Sequence, residues 1–195
     1  MLKSLLIALG LLVAAPVYAA DCAYDRDTLL ALDYAAFDQD MHGGWRPVAA
    51  VEGCELTAAG LIHDWRLAHT GLDSDQNRTV TWHEGQLRAA AGDNIGAIPL
   101  IAVSEGNPDP AMQDYAAATV AFLERDKTGL VAARDKLATE PKPDGWDAAA
   151  ADFRTKYGVV LAWPSNLDVV DGLVACFDKP YSQAYDTACR SKPGA

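Results

Sequence analysis

Two stretches of this chain align on each other without a gap. "VAAVEGCELTAAGLI" (48–62) lies over "LRAAAGDNIGAIPLI" (87–101), thirty-nine residues apart. The match sets Gly53 over Gly92, Ala58 over Ala97, Leu61 over Leu100 and Ile62 over Ile101. A helix that ends at glycine can close in the left-handed conformation. A small alanine a few residues on lets the next helix pack closely against the first. Each stretch therefore reads as a helix, a glycine turn and a second helix. A looser third copy is "AFLERDKTGLVAARDKLA" (121–138), with Asp126 near the turn in place of glycine.

The rest of the pattern agrees with an all-α chain. Alternating strand patterns are almost missing, and apolar residues recur at helical spacing. Leu30, Tyr34 and Phe37 predict a first helix, capped by Asp25 or Asp27. Ala58, Leu61, Ile62, Trp65 and Ala68 mark another. Trp146, Ala150, Phe153 and Tyr157 mark a later one, entered through "KPDG". Ser165 with Asp168 forms a weak capping box before Leu167, Val170, Val174 and Phe177. Pro180 stands near the start of a last helix bearing Tyr181, Tyr185 and Cys189. "GVVLAW" (158–163) alone looks extended, as a strand or a buried connector.

This helix–turn–helix unit resembles the tetratricopeptide repeat (TPR). Gly85, Gly92, Asp93 and Ala97 match that pattern well, and Gly53 and Ala58 match it less completely. Trp82 lies one place off the family's large aromatic, Pro99 falls inside the second helix, and the period is thirty-nine rather than thirty-four. The resemblance covers about 45–140. It implies stacked antiparallel helical hairpins with a concave face that takes peptides or proteins, and it carries over no catalytic residue.

The first nineteen residues read as an export signal. Lys3 is the positive start, "LLIALGLLVAA" the apolar middle, and Val17, Tyr18 and Ala19 the cleavage site. The apolar run is too short for a membrane span, so no stable membrane anchor is expected after cleavage. Residues 20–195 are expected to form a single helical domain, with a TPR-like core and C-terminal helices over about 144–190. Removing Lys3 makes the remainder more acidic than the formal −11 of the full chain. An acidic chain repels phosphate backbones, so nucleic acid is not an expected partner. All four cysteines, Cys22, Cys54, Cys176 and Cys189, survive cleavage. An even number in an exported chain suggests two disulfides. Of three possible pairings, the local one is favoured, Cys22 with Cys54 and Cys176 with Cys189. The expected location is periplasmic or secreted.

"DSDQNRTVTWHE" (73–84) comes close to a calcium-binding EF-hand loop. Asp73, Asp75, Asn77, the Thr79 carbonyl, Thr81 and Glu84 occupy its oxygen-donor positions. Arg78 stands where that loop needs glycine, Gly71 interrupts the entering helix, and no second copy is present. The favoured reading is a polar loop in which Asp73 or Asp75 caps a helix that starts near Thr79. On that reading Glu84 is an ordinary surface residue and no cofactor is needed; calcium is the alternative.

Among other candidates, His63 and His69 are six apart and do not share a helix face as a zinc pair would. His83 sits beside Glu84 without the second histidine of a zinc-protease helix. Ser104 in "VSEG" is not in a nucleophile elbow. In "DQDMHGGW" (38–45), Gly43-Gly44 permits an unusual backbone before Trp45, and Asp38, Asp40 and His42 could line a cleft. The sequence thus predicts an exported, non-enzymatic binding or scaffold protein for a protein or peptide partner. Trp45, Trp65 and Trp82 are its candidate groove aromatics. A calcium-binding protein is the alternative, and a hydrolase with a site near His42 or His83 is a weaker one.

Overall fold

The computed structural model describes residues 21–190; the expected export signal lies outside them. These residues form stacked antiparallel helical hairpins, closed by a disulfide-stapled C-terminal pair. The helices are α1 (Arg26–Leu30), α2 (Arg46–Ala49), α3 (Glu55–Ala68), α4 (Ser74–Ala90), α5 (Asn94–Ala102), α6 (Pro110–Leu123), α7 (Lys127–Leu137), α8 (Trp146–Tyr157), α9 (Leu167–Ala175) and α10 (Tyr181–Tyr185). A π-helical turn covers Ala35–Gln39, and a 3-10 turn covers Val103–Gly106.

The hairpin turns follow the local chemistry read from the sequence. Gly53 and Gly92 both take a φ of +84°, the left-handed region that glycine reaches at no steric cost. Ala58 and Ala97, five residues beyond them, are completely buried. Gly85 marks the closest approach within the α4–α5 hairpin. A β-carbon there would lie 2.8 Å from Ile101 Cγ1 and 3.2 Å from Leu100 Cβ. The α6–α7 turn solves the same problem with Arg125, at φ 64°. Asp93 and Asp126 then cap α5 and α7 alike, each accepting the amide of a glycine three residues on, Gly96 and Gly129, at 3.0 Å. These two Asp-x-x-Gly turns lie thirty-three residues apart, a spacing that the thirty-nine-residue match overlooks.

Two apolar clusters form the core, and α4 is their common wall. Val80 joins Phe37, Val48, Ala58, Leu61, Ile62 and Trp65 on one side. Trp82 and Ala89 join the cluster built around Tyr115, Phe122, Leu130 and Leu173 on the other. Burying a side chain the size of Phe37 contributes about 1.5–3 kcal/mol. Helix α9 packs on α6 and α7, and α10 packs on α9 and reaches α4. Cys22–Cys54 ties the N-terminal segment to the start of α3, and Cys176–Cys189 ties the end of α9 to the chain beyond α10. Both are the local pairings. They fit an oxidising compartment, and no helix among the described residues is long and apolar enough to cross a membrane.

Several elements differ from expectation. The first helix stops at Leu30, and Phe37 is buried from the separate π-helical turn. Its cap is Asp25, which accepts the Thr28 amide at 3.1 Å. The cap of α9 is Asn166, with φ 63°, and not Ser165. Cys189 lies past the end of α10. "GVVLAW" forms no strand, and Val160 is 74 % exposed. Helix α8 has no fully buried residue.

Candidate functional site: an Asp38–His83 pair beside a groove along α4

The π-helical turn carries Asp38 inward, where no part of it meets solvent. Its carboxylate is surrounded by donors. His83 Nδ1 lies 2.7 Å from Oδ1, Trp45 Nε1 donates to Oδ1 at 3.1 Å, and Gln39 Nε2 donates to Oδ2 at 2.7 Å. Arg46 donates to the Asp38 main-chain carbonyl and stacks over the Trp45 ring at 4.4 Å. Burial pushes the Asp38 carboxyl up. Hydrogen bonds from His83, Trp45 and Gln39, with attraction to His83, outweigh it and hold the group below its ordinary value. An ionised carboxylate only accepts, so the proton between the two side chains belongs to His83 Nδ1.

The glycine pair before Trp45 makes this arrangement possible. Gly44 has a φ of +58°, and a β-carbon there would fall 1.8 Å from the Phe37 carbonyl oxygen. Only glycine lets the chain turn back this tightly and bring Trp45 onto Asp38. Of the three side chains expected to line a cleft here, Asp38 turns inward, while Asp40 and His42 stay exposed.

The His83 ring lines two adjoining pockets, which also share Gln86 and Tyr185. One, of about 340 Å³, has polar walls that include Arg78, Gln86, Asn107 and Asn166. The other, of about 290 Å³, is apolar, bounded by Trp45, Leu87, Ala90 and Tyr181. Together they form a groove along α4, between Trp45 and α10. Tyr115 and Tyr181 stand at its base, buried, and burial pushes both phenols above their ordinary range. His83 Nε2 makes no hydrogen bond among the described residues.

The candidate tryptophans separate. Trp45 is half-buried and lines the apolar pocket. Trp82 is 6 % exposed, packs on Tyr115 and lines the polar pocket. Trp65 is entirely buried and does not reach the groove. It stacks on Phe37 and His69, and its Nε1 donates to the Leu32 carbonyl at 2.9 Å.

Residues 73–84 do not form a loop. Asp73 is the N-cap of α4, with a full capping box to Gln76, and Ser74 to Glu84 are helical. The helix thus begins five residues before Thr79. Arg78 is paired with Asp75 along it. Glu84 is not on the surface. It is 1 % exposed, bonded by Arg66 at 3.1 Å and by Arg88 at 2.9 Å, with His63 Nδ1 at 3.5 Å. Along the helix axis Asp73 and Glu84 stand about 16 Å apart, at a rise of about 1.5 Å per residue. Among the described residues no group of three or more His, Cys, Asp or Glu is placed to hold a metal ion.

Sequence reasoning singled out both the 38–45 stretch and His83 but not their meeting. It missed Gln86, Asn107, Tyr115 and Asn166 as groove walls. Fold and site together define a class, an all-α stack of helical hairpins with a groove along one central helix. No family model matches the chain, and neither a curated protein nor a solved structure matches it.

Proposed function

We propose that this is an exported binding or scaffold protein, periplasmic or secreted, whose TPR-like hairpins hold a peptide or protein segment in the groove along α4. The observation that carries the reading is the composition of the groove wall. The chain has 27 Asp and Glu, yet no carboxylate lines either pocket. The walls are aromatic and aliphatic side chains, hydroxyls and neutral amides, with one guanidinium and one imidazole. Apolar and aromatic walls with a few placed polar groups suit an apolar side chain flanked by main-chain hydrogen bonds. The net acidity of the chain argues against a nucleic-acid partner.

Selection of a displayed random-peptide library on the mature protein tests this. A Ser182→Trp variant, which fills the apolar pocket, serves as the counter-selection. The expected result is an enriched motif with an apolar residue that binds the wild type and not the blocked variant. Motifs that bind both proteins equally would place recognition elsewhere and sink the reading.

A further inference from the structure

We infer that the groove also carries a hydrolytic centre, in which His83 is the general base for water attack on a carboxylic ester with a short apolar acyl group. This goes beyond the binding role and rests on the same groove. The Asp38 carboxylate fixes both the tautomer and the direction of the ring. With Nδ1–H held at 2.7 Å, the basic lone pair of the neutral ring is at Nε2, which no described residue occupies. A carboxylate that orients an imidazole and balances the charge it acquires is the arrangement that general-base chemistry needs.

A second pair, between α3 and α4, shows what a structural pair looks like. His63 faces Glu84 at 3.5 Å, but Glu84 is already shared by Arg66 and Arg88, and His63 lines neither groove pocket. Asp38 has no guanidinium on its carboxylate, since Arg46 bonds its main-chain carbonyl instead. His83 is therefore the one ionisable side chain hydrogen-bonded to that carboxylate among the described residues, beside the neutral donors Trp45 and Gln39.

The pocket walls divide the work. The apolar pocket takes the acyl chain, and its volume of about 290 Å³ suits a small group. Gln86, Asn107 and Asn166 supply amide donors around the adjoining polar pocket for the carbonyl oxygen. Ser104 lines the polar pocket, but among the described residues no hydroxyl is hydrogen-bonded to His83 Nε2 to be activated by it, so the nucleophile is water. In the step, Nε2 takes a proton from water as its oxygen bonds to the ester carbon, and the carbonyl electrons move onto oxygen. The tetrahedral adduct collapses, the carbon–alkoxide bond breaks, and the proton on Nε2 passes to the departing alkoxide. Acid and alcohol leave, and His83 is neutral again. Asp38 is a positioning residue and stays ionised throughout.

The test is hydrolysis of 4-nitrophenyl butanoate by the mature, disulfide-bonded protein, compared with free imidazole at equal concentration. Positioned general-base catalysis predicts a rate at least about 100-fold above imidazole. His83→Gln should bring it to the imidazole level, while His63→Gln keeps it. Asp38→Asn should lower kcat and leave KM unchanged, with circular dichroism confirming the fold. Ala90→Phe should raise KM for the butanoate far more than for the acetate ester. A wild-type rate equal to that of imidazole, or full activity in His83→Gln, overturns the inference. Either outcome leaves the peptide selection intact, because Ser182→Trp reads binding without chemistry.

Discussion

Asp38 and His83 stand 45 positions apart in the chain and 2.7 Å apart in space. One comes from a π-helical turn, the other from the middle of α4. Their contact, with Trp45 donating to Asp38 and tilted against the His83 ring, fastens the N-terminal segment to the central helix and places Trp45 at the groove. A charge-assisted hydrogen bond of this kind contributes about 1.5–3 kcal/mol, so the pair serves the fold as well as the site.

That pairing makes stability depend on pH in one direction. The Asp38 carboxyl is held below its ordinary value in the folded protein. Its contribution is complete above the unfolded pKa of about 3.9 and is lost as pH falls through the lower native value. Asp38→Asn should cost about 1–3 kcal/mol at pH 7 by leaving buried donors poorly matched. Urea midpoints measured from pH 7 to pH 3 should show the gap between wild type and variant narrowing below about pH 4. A gap that stays constant would mean that folding does not favour the ionised carboxylate.

Two glycines in adjacent helices should respond oppositely to alanine. At Gly60, inside α3, a β-carbon would meet nothing within 4 Å, so alanine should stabilise by about 0.5–1 kcal/mol through helix propensity. At Gly85 the same carbon would press on Ile101 and Leu100, and the forced separation of α4 from α5 should cost about 1–3 kcal/mol. Ala97→Leu, at the buried face of α5, should cost a similar amount. Chemical denaturation of the three variants decides it; equal midpoints for Gly60→Ala and Gly85→Ala would contradict the packing.

The turn glycines and the buried alanines were legible because each depends on a few neighbouring residues, and the cysteine pairing because the local of the three pairings closes the shortest loops. Gly53 and Gly92 need only a left-handed turn, and Asp25 needs only an amide three residues away. The site was not legible in the same way. Nothing near Asp38 announces His83, and only the packing of α3 against α4 decides that Glu84 faces Arg66. Helical spacing placed Trp65 correctly on an apolar stripe but could not say whether the stripe faced the core or a groove. The first helix broke before Phe37 because the chain is drawn inward as a π-helical turn, which leaves the apolar spacing unchanged.

Breaking the Cys176–Cys189 bond should loosen one wall of the groove. The bond closes a loop with a sequence separation of 13, and α10 inside that loop carries Tyr181 and Tyr185. A cross-link of this size contributes about 3 kcal/mol by restricting the unfolded chain. The double Cys→Ser variant should lose about that much in urea. Amide exchange should rise first over 176–190, while α3 and α4 remain protected. Exchange rising uniformly across the chain would show that the C-terminal pair does not close separately.

Glu84 should be among the most costly side chains to alter. It is buried between Arg66 and Arg88, so Glu84→Gln leaves Arg66 without its counter-charge and Arg88 with Asp93 alone. Removing one partner of a buried ion pair costs about 3–5 kcal/mol. Asp75, 79 % exposed in its pair with Arg78, should cost less than about 1 kcal/mol when changed to Asn. Thermal midpoints of the two variants compared side by side give the answer. A loss at Asp75 equal to that at Glu84 would mean that burial does not set the strength of these pairs.

The same contrast provides the calcium test. An EF-hand loop wraps six or seven oxygens around one ion at about 2.3–2.6 Å. In α4 the corresponding donors are strung along a helix, with Asp73 accepting the Asp75 and Gln76 amides as a cap and the Thr79 carbonyl committed to the helical ladder. Binding an ion would require unwinding three turns and freeing Glu84 from Arg66 and Arg88. Calorimetric titration of the mature protein with calcium should therefore give no one-site micromolar isotherm. Because Glu84→Gln disturbs the fold by itself, Asp75→Asn is the cleaner control. A micromolar isotherm in the wild type that Asp75→Asn abolishes would show that the helix opens into a binding loop.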